Sequence, residues 1–161
     1  MILSVVFVAA CGDDEAELAA AAEAATKKAG SSVSAGEKVA GDADVTSVFA
    51  RQDEDSTWTF HVTVEHKDVS WEDYANGWDL VLPDGASVKT DKFSDFTKPI
   101  RQPHVNEKRP NLRTQRGIVL PEGTETVTVR VHDKKGGWGG KEVVVDLTRR
   151  FGENFSVKRK L

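Results

Sequence analysis

A histidine and a glutamate stand three residues apart in Pro103-His104-Val105-Asn106-Glu107. On one turn of chain, an imidazole and a carboxylate at that spacing can meet a metal ion from one side. His61 and His132 fall on the outward parity of two alternating segments. With His104 folded over them they would offer three imidazoles to one outer face, a donor set that suits copper or zinc. His66 follows just after the segment that carries His61. No HxH or HxxxH spacing is present, so metal binding through His104, Glu107, His132 and His61 stands as the alternative reading of function.

A second cluster is Trp71-Glu72-Asp73-Tyr74-Ala75-Asn76-Gly77-Trp78-Asp79. Aromatic faces interleaved with carboxylates can form a platform for a sugar ring or a cationic group. Asp73, Asn76 and Asp79 also offer oxygen ligands of the kind calcium takes, though not at EF-hand spacing. The competing role is structural: Trp78, and Trp71 with it, closes one end of a core while the acids solvate a loop.

The segment from Asp84 to Gln115 has weak periodicity and is long for a loop in a compact domain, which marks it as functional or disordered. From Lys98 to Arg116, one residue past that segment, the chain carries six basic residues against one acid, Glu107. Arg101 and Arg113 could grip a carboxylate or phosphate bidentately. The bland reading is a solvated basic loop stiffened by Pro99, Pro103 and Pro110. Trp138 sits in Gly136-Gly137-Trp138-Gly139-Gly140, where it either anchors a partner or folds back on its sheet. There is no P-loop, no GxGxxG after a strand, no HExxH and no GxSxG, so the chain is not expected to be an enzyme.

These residues need a scaffold, and the pattern of the chain supplies one from Asp44 onward. Trp58, Phe60, Val62 and Val64 share one parity, while Thr57, Thr59, His61, Thr63 and Glu65 share the other. Side chains alternate across a strand, so the first set faces a core and the second faces water. Val127, Val129 and Val131 alternate in the same way, and Val143 to Val145 fits a well-covered strand. Val45–Ala50, Gly77–Leu82 and Gly117–Leu120 supply further strands. Pro83-Asp84-Gly85 and Pro121-Glu122-Gly123 read as turns. Short strands between Gly/Pro turns, with no convincing helix, predict an all-β, antiparallel β-sandwich of about seven strands over 44–148. The pattern resembles immunoglobulin-like and fibronectin type III domains, without a diagnostic motif. A basic tail follows at 149–161, carrying Arg149-Arg150 and Lys158-Arg159-Lys160 with Phe151 and Phe155.

The chain ahead of Asp44 is of another kind. Asp13 to Ala29 is rich in Glu and Ala, with almost nothing but Ala to bury. Together with Gly30 to Gly41 it reads as a tether, 11–43. Before it, Val8-Ala9-Ala10-Cys11 holds the only cysteine, after an apolar run and ahead of Gly12-Asp13-Asp14. This stretch resembles the lipobox of a bacterial lipoprotein signal peptide. The resemblance implies that residues 1–10 are a leader, that the Cys11 thiol is acylated, and that the protein is exported and held at the cell envelope. Multiple acyl chains anchor stably where one does not. Gly12 rather than Asp after the cysteine implies the outer membrane, facing the periplasm, over the inner one. The apolar run is far short of the roughly 20 residues of a spanning helix. It also lacks the basic start of a leader, which suggests a start codon placed too late or a truncated chain. The Trp71–Trp78 stretch together with His104–Glu107 also resembles a family of small exported bacterial proteins to which no activity is attached.

Composition narrows the partners. With 26 acidic against 22 basic side chains, the formal net charge is −4, which argues against general nucleic-acid binding. One cysteine excludes an internal disulfide. The leading expectation is a non-catalytic binding or structural module on a lipid anchor, with no required cofactor. Its partner would be an envelope protein or glycan meeting Trp71, Tyr74, Trp78, Arg101, Arg113 and Trp138.

Overall fold

The computed structural model describes residues 40–107 and 110–160. The expected leader, Cys11 and the expected tether up to residue 39 lie outside the described residues, as do Lys108, Arg109 and Leu161.

Among the described residues, seven strands of four or more residues and three two-residue strands build two sheets. In the first sheet, β1 (Asp44–Gln52) pairs with β2 (Trp58–Glu65), and β2 with β5 (Asn111–Ile118). In the second, β3 (Ala75–Val81) lies between β4 (Lys98–Pro99) and β6 (Thr126–Asp133). The two ends of β6 then pair with β7 (Gly137–Trp138) and β8 (Val143–Asp146). The first sheet is completed by β9 (Phe151–Gly152) and β10 (Phe155–Lys158). The all-β sandwich expected from the alternation is therefore the observed architecture.

The core lies between the sheets, where the alternation put it. Val48, Ala50, Phe60 and Val62 meet Trp78, Leu80, Val129 and Val145 there. Two irregularities tune which residues reach it. A register shift between Val45 and Ser47 lets Val45 and Val48, three apart, both point inward. A second shift opposes Trp58 to Ile118 and Phe60 to Gln115. Gly117 takes the extra position at φ 67°, which glycine adopts without a side-chain clash. The bulge turns Ile118 into the core.

The segment from 149 onward is not a free basic tail. It forms β9 and β10, and β10 runs parallel to β1, with Val48 opposite Phe155 and Ala50 opposite Val157. The physical reason is a two-residue alternation: Phe155 and Val157 present apolar side chains on one face, and Val157 is buried. At the other end, Ala43 is already part of the core, so the sandwich extends past both expected boundaries. The long segment from Asp84 to Gln115 is likewise not a structureless loop. Its first part lies as a strap over β3, and its last part is the start of β5.

Candidate functional site

The strap is held by one carboxylate. Asp79 of β3 points away from the core, yet it is buried beneath the strap. Its Oδ1 accepts the Thr97 amide at 2.9 Å and Lys89 Nζ at 2.8 Å. Its Oδ2 accepts Ser87 Oγ at 2.7 Å, and Arg130 stands 3.7 Å away. Thr97 Oγ1 in turn accepts the Leu80 amide at 2.8 Å. Burying a carboxylate is tolerated because its partners replace the lost water. Asp79 is thus committed to structure and is not available as a calcium ligand.

The strap lays Phe96 directly on Gly77. A Cβ at Gly77 would sit 2.3 Å from the Phe96 ring, so only glycine admits this approach. Around Phe96, aromatic groups gather on the outer face of the second sheet. Its centroid is 5.3 Å from His132 and 5.9 Å from Trp138, and those two rings meet edge-on at 4.8 Å. The Arg130 guanidinium lies 4.1 Å over Trp138. Trp138 therefore folds back on its sheet; of the two roles open to it, the structure takes that one. His132 Nδ1 lies 2.6 Å from Asn76 Oδ1.

Next to this shelf is an open groove of about 530 Å³. Phe93, Phe96, Lys98 and Arg101 from the strap side and Gln115 from β5 line it. It runs between an edge of each sheet, since β4 and β5 are both edge strands. Phe93 is 84% exposed, and Arg101 is exposed beside it. Asp91 and Asp95 line the same groove, so it offers a ring face, two cations and two carboxylates, a set that can hold a sugar face with its hydroxyl and acidic groups.

The expected platform at residues 71–79 does not form. Trp78 is 0% exposed and belongs to the core, because its parity on β3 is inward. Tyr74 is buried, with Trp71 edge-on at 6.3 Å and Lys134 Nζ 5.2 Å over its ring. Trp71 alone is well exposed, at 58%.

The four expected metal ligands are not brought together. His61 points out from the first sheet, stacked on Phe49 at 5.5 Å and 2.9 Å from Thr114 Oγ1. His132 points out from the second sheet, so the two outward faces are on opposite sides of the sandwich. His104 and Glu107 do meet, at 2.5 Å, but they are occupied with each other. That hydrogen bond holds the Glu107 carboxyl below its ordinary value, helped by the nearby Arg113 at 3.5 Å. Arg113 is therefore paired, while Arg101 lines the groove.

One hub escaped the sequence reading. Asp68, buried just after β2, accepts His66 Nδ1 at 2.7 Å, the Ala75 amide at 3.1 Å and the His104 amide at 2.7 Å. Burial pushes its carboxyl up, but these hydrogen bonds outweigh burial and hold it below the ordinary value. The available signal was His66-Lys67-Asp68 at the end of a strand, where both side chains leave the ladder on the same parity.

Comparison with known proteins adds one relative to this geometry. A protein of Halomicrobium mukohataei described as "Putative lipoprotein" is 32% identical over 87 residues. The chain is similar to a protein so described. That description is consistent with the lipoprotein resemblance at Cys11. The match covers 54% of this chain and 38% of the relative, so the chain spans well under half of the relative's length. No family model matches the chain, and no solved structure matches it. The immunoglobulin and fibronectin likeness accordingly rests on strand pattern alone.

Proposed function

We propose that this chain is a lipid-anchored envelope protein, acylated at Cys11, whose β-sandwich serves as a non-catalytic binding module. The observation that carries the reading is the similarity to a protein described as a lipoprotein. Val8-Ala9-Ala10-Cys11 supports the same anchor, and Gly12 supports outer-membrane delivery in a cell that has one. The contact surface is the groove beside Phe96, with Phe93 as the apolar contact and Lys98 and Arg101 as the cationic ones. This replaces the Trp71–Trp78 platform, since Trp78 and Tyr74 are buried. The lining, with Asp91 and Asp95 beside the two cations, fits an envelope glycan that carries acidic groups among its hydroxyls. Ring stacking would hold the sugar, and the cations would hold carboxylate or phosphate.

Fractionation of cells making residues 1–161 tests the anchor. The wild-type chain should sediment with membranes and need detergent for release. Cys11→Ala should move to the soluble fraction. Membrane association unchanged in Cys11→Ala would overturn the lipid anchor.

A further inference from the structure

We propose that Asp42, His66 and Asp133 form a binding site for a divalent metal ion of the zinc class, with Asp73 beside it. None of these residues lines the groove. The inference does not depend on the lipid anchor.

His66 lies just past β2 with its side chain 2% exposed. Its Nδ1 faces Asp68 Oδ1 at 2.7 Å. Its Nε2 faces Asp42 Oδ1 at 3.0 Å, and Asp73 Oδ1 and Asp133 Oδ1 at 3.8 Å each. Donor atoms of Asp42, His66 and Asp133 all fall within 4.8 Å of one another.

A neutral imidazole carries one N–H and one lone pair. Both nitrogens of His66 face carboxylate oxygens in a buried setting. Whichever nitrogen holds the proton, the other turns a lone pair toward a carboxylate. A metal cation placed between Nε2 and these carboxylates would take that lone pair and the carboxylate oxygens together. Three observations favour the metal. Asp42, Asp73 and Asp133 converge on Nε2, and Lys135, paired with Asp73 at 3.0 Å, is the cation beside them, so Asp42 and Asp133 still turn carboxylate oxygens toward one imidazole nitrogen. The Asp68 grip on Nδ1 is the outer-shell contact that orients a metal-ligating histidine and leaves Nε2 as the donor. The carboxylates are themselves oriented: Asp133 accepts the Lys135 and Gly136 amides, and Asp73 Oδ2 accepts Lys135 Nζ at 3.0 Å.

The spacing suits a small ion. Donors about 2.0–2.2 Å from a tetrahedral zinc stand roughly 3.3–3.5 Å apart. The separations of 3.0 and 3.8 Å from Nε2 straddle that figure. One imidazole with carboxylates selects the zinc class over calcium, which takes six to eight oxygens. Asp42 is 80% exposed, so the site opens to solvent on one side.

Glycines make the site possible. A Cβ on Gly41 would lie 2.1 Å from the Gly137 carbonyl oxygen, and one on Gly136 would lie 2.7 Å from the Gly41 backbone. Their absence of side chains lets the chain ahead of β1 press against the β6–β7 turn, which carries Asp42 to Asp133. A bound ion would therefore fasten the sandwich at the point where the chain leads back toward Cys11.

The test uses untagged residues 1–161 in detergent, stripped with EDTA, dialysed and titrated with zinc chloride by calorimetry. One equivalent should bind. Asp42→Asn, at an exposed position that spares the fold, should weaken binding by about tenfold or more, in line with losses seen on disturbing metal sites. His66→Gln should remove it. His104→Ala and Cys11→Ser should leave it intact. Three results would each overturn the proposal. The first is a folded wild-type chain that takes up no zinc. The second is unchanged affinity in Asp42→Asn. The third is zinc lost in Cys11→Ser.

Discussion

Asp68 Oδ2 accepts the backbone amide of His104 at 2.7 Å, across 36 positions of sequence. The same side chain holds His66 through its other oxygen, at 2.7 Å. One buried carboxylate thus fastens the basic loop, the end of β2 and the start of β3. Replacing it by alanine leaves two amides and an imidazole without their acceptor. An unsatisfied buried group costs about 1–3 kcal/mol. Asp68→Ala should lower unfolding free energy by at least that much in urea melts at pH 7. No change would mean that water replaces the carboxylate.

Acid should remove the same contribution. Asp68 titrates lower in the folded chain than its ordinary value of 3.8, so the unfolded chain binds more protons on acidification. Its stabilising effect is then complete above that value and is lost as pH falls through the lower folded one. Urea midpoints at pH 7 and pH 3 should show the gap between wild type and Asp68→Ala narrowing in acid. A gap that widens would reverse the sign.

The C-terminal strands should be indispensable. Val157 is buried and Phe155 packs on the core, and burying one such side chain contributes about 1.5–3 kcal/mol. Residues 44–147, the piece bounded by the strongest alternation, should show no cooperative thermal transition. Residues 40–160 should melt cooperatively. Equal melting of the two would make β10 an accessory.

Trp138 and Arg130 offer a local test of the outer face. Trp138→Ala removes the cation–π contact and two edge-on ring contacts. The expected loss is roughly 1–2 kcal/mol in chemical denaturation. A loss below about half that would mean that the ring contributes little beyond covering Arg130.

In the groove, Arg101→Glu and Phe93→Ala should each weaken retention on an anionic envelope polysaccharide by roughly fivefold, the scale of one contact worth about 1 kcal/mol. Both positions are exposed, so the fold should be unaffected. Retention that survives both changes would move the contact surface elsewhere.

Alternation by itself determined a good deal of this protein. Trp58, Phe60, Val62 and Val64 reach the core because side chains on a strand alternate, whatever the strand pairs with. The turn ending at Gly85, with φ 86°, and the one ending at Gly123, with φ 79°, follow from local conformational preference. His104 and Glu107 meet because three residues of separation bring them together in almost any turn. Tertiary structure decided the rest. Trp78 and Asp79 are neighbours in sequence, yet one fills the core and the other pins a strap, and only the strap's path over β3 separates those fates. His61 and His132 share a parity, but parity is defined within one sheet, and they stand in different sheets. Asp42, His66 and Asp133 come from the chain ahead of β1, past β2 and the end of β6. Their approach depends on how strand ends and glycine backbones pack, which no local pattern records.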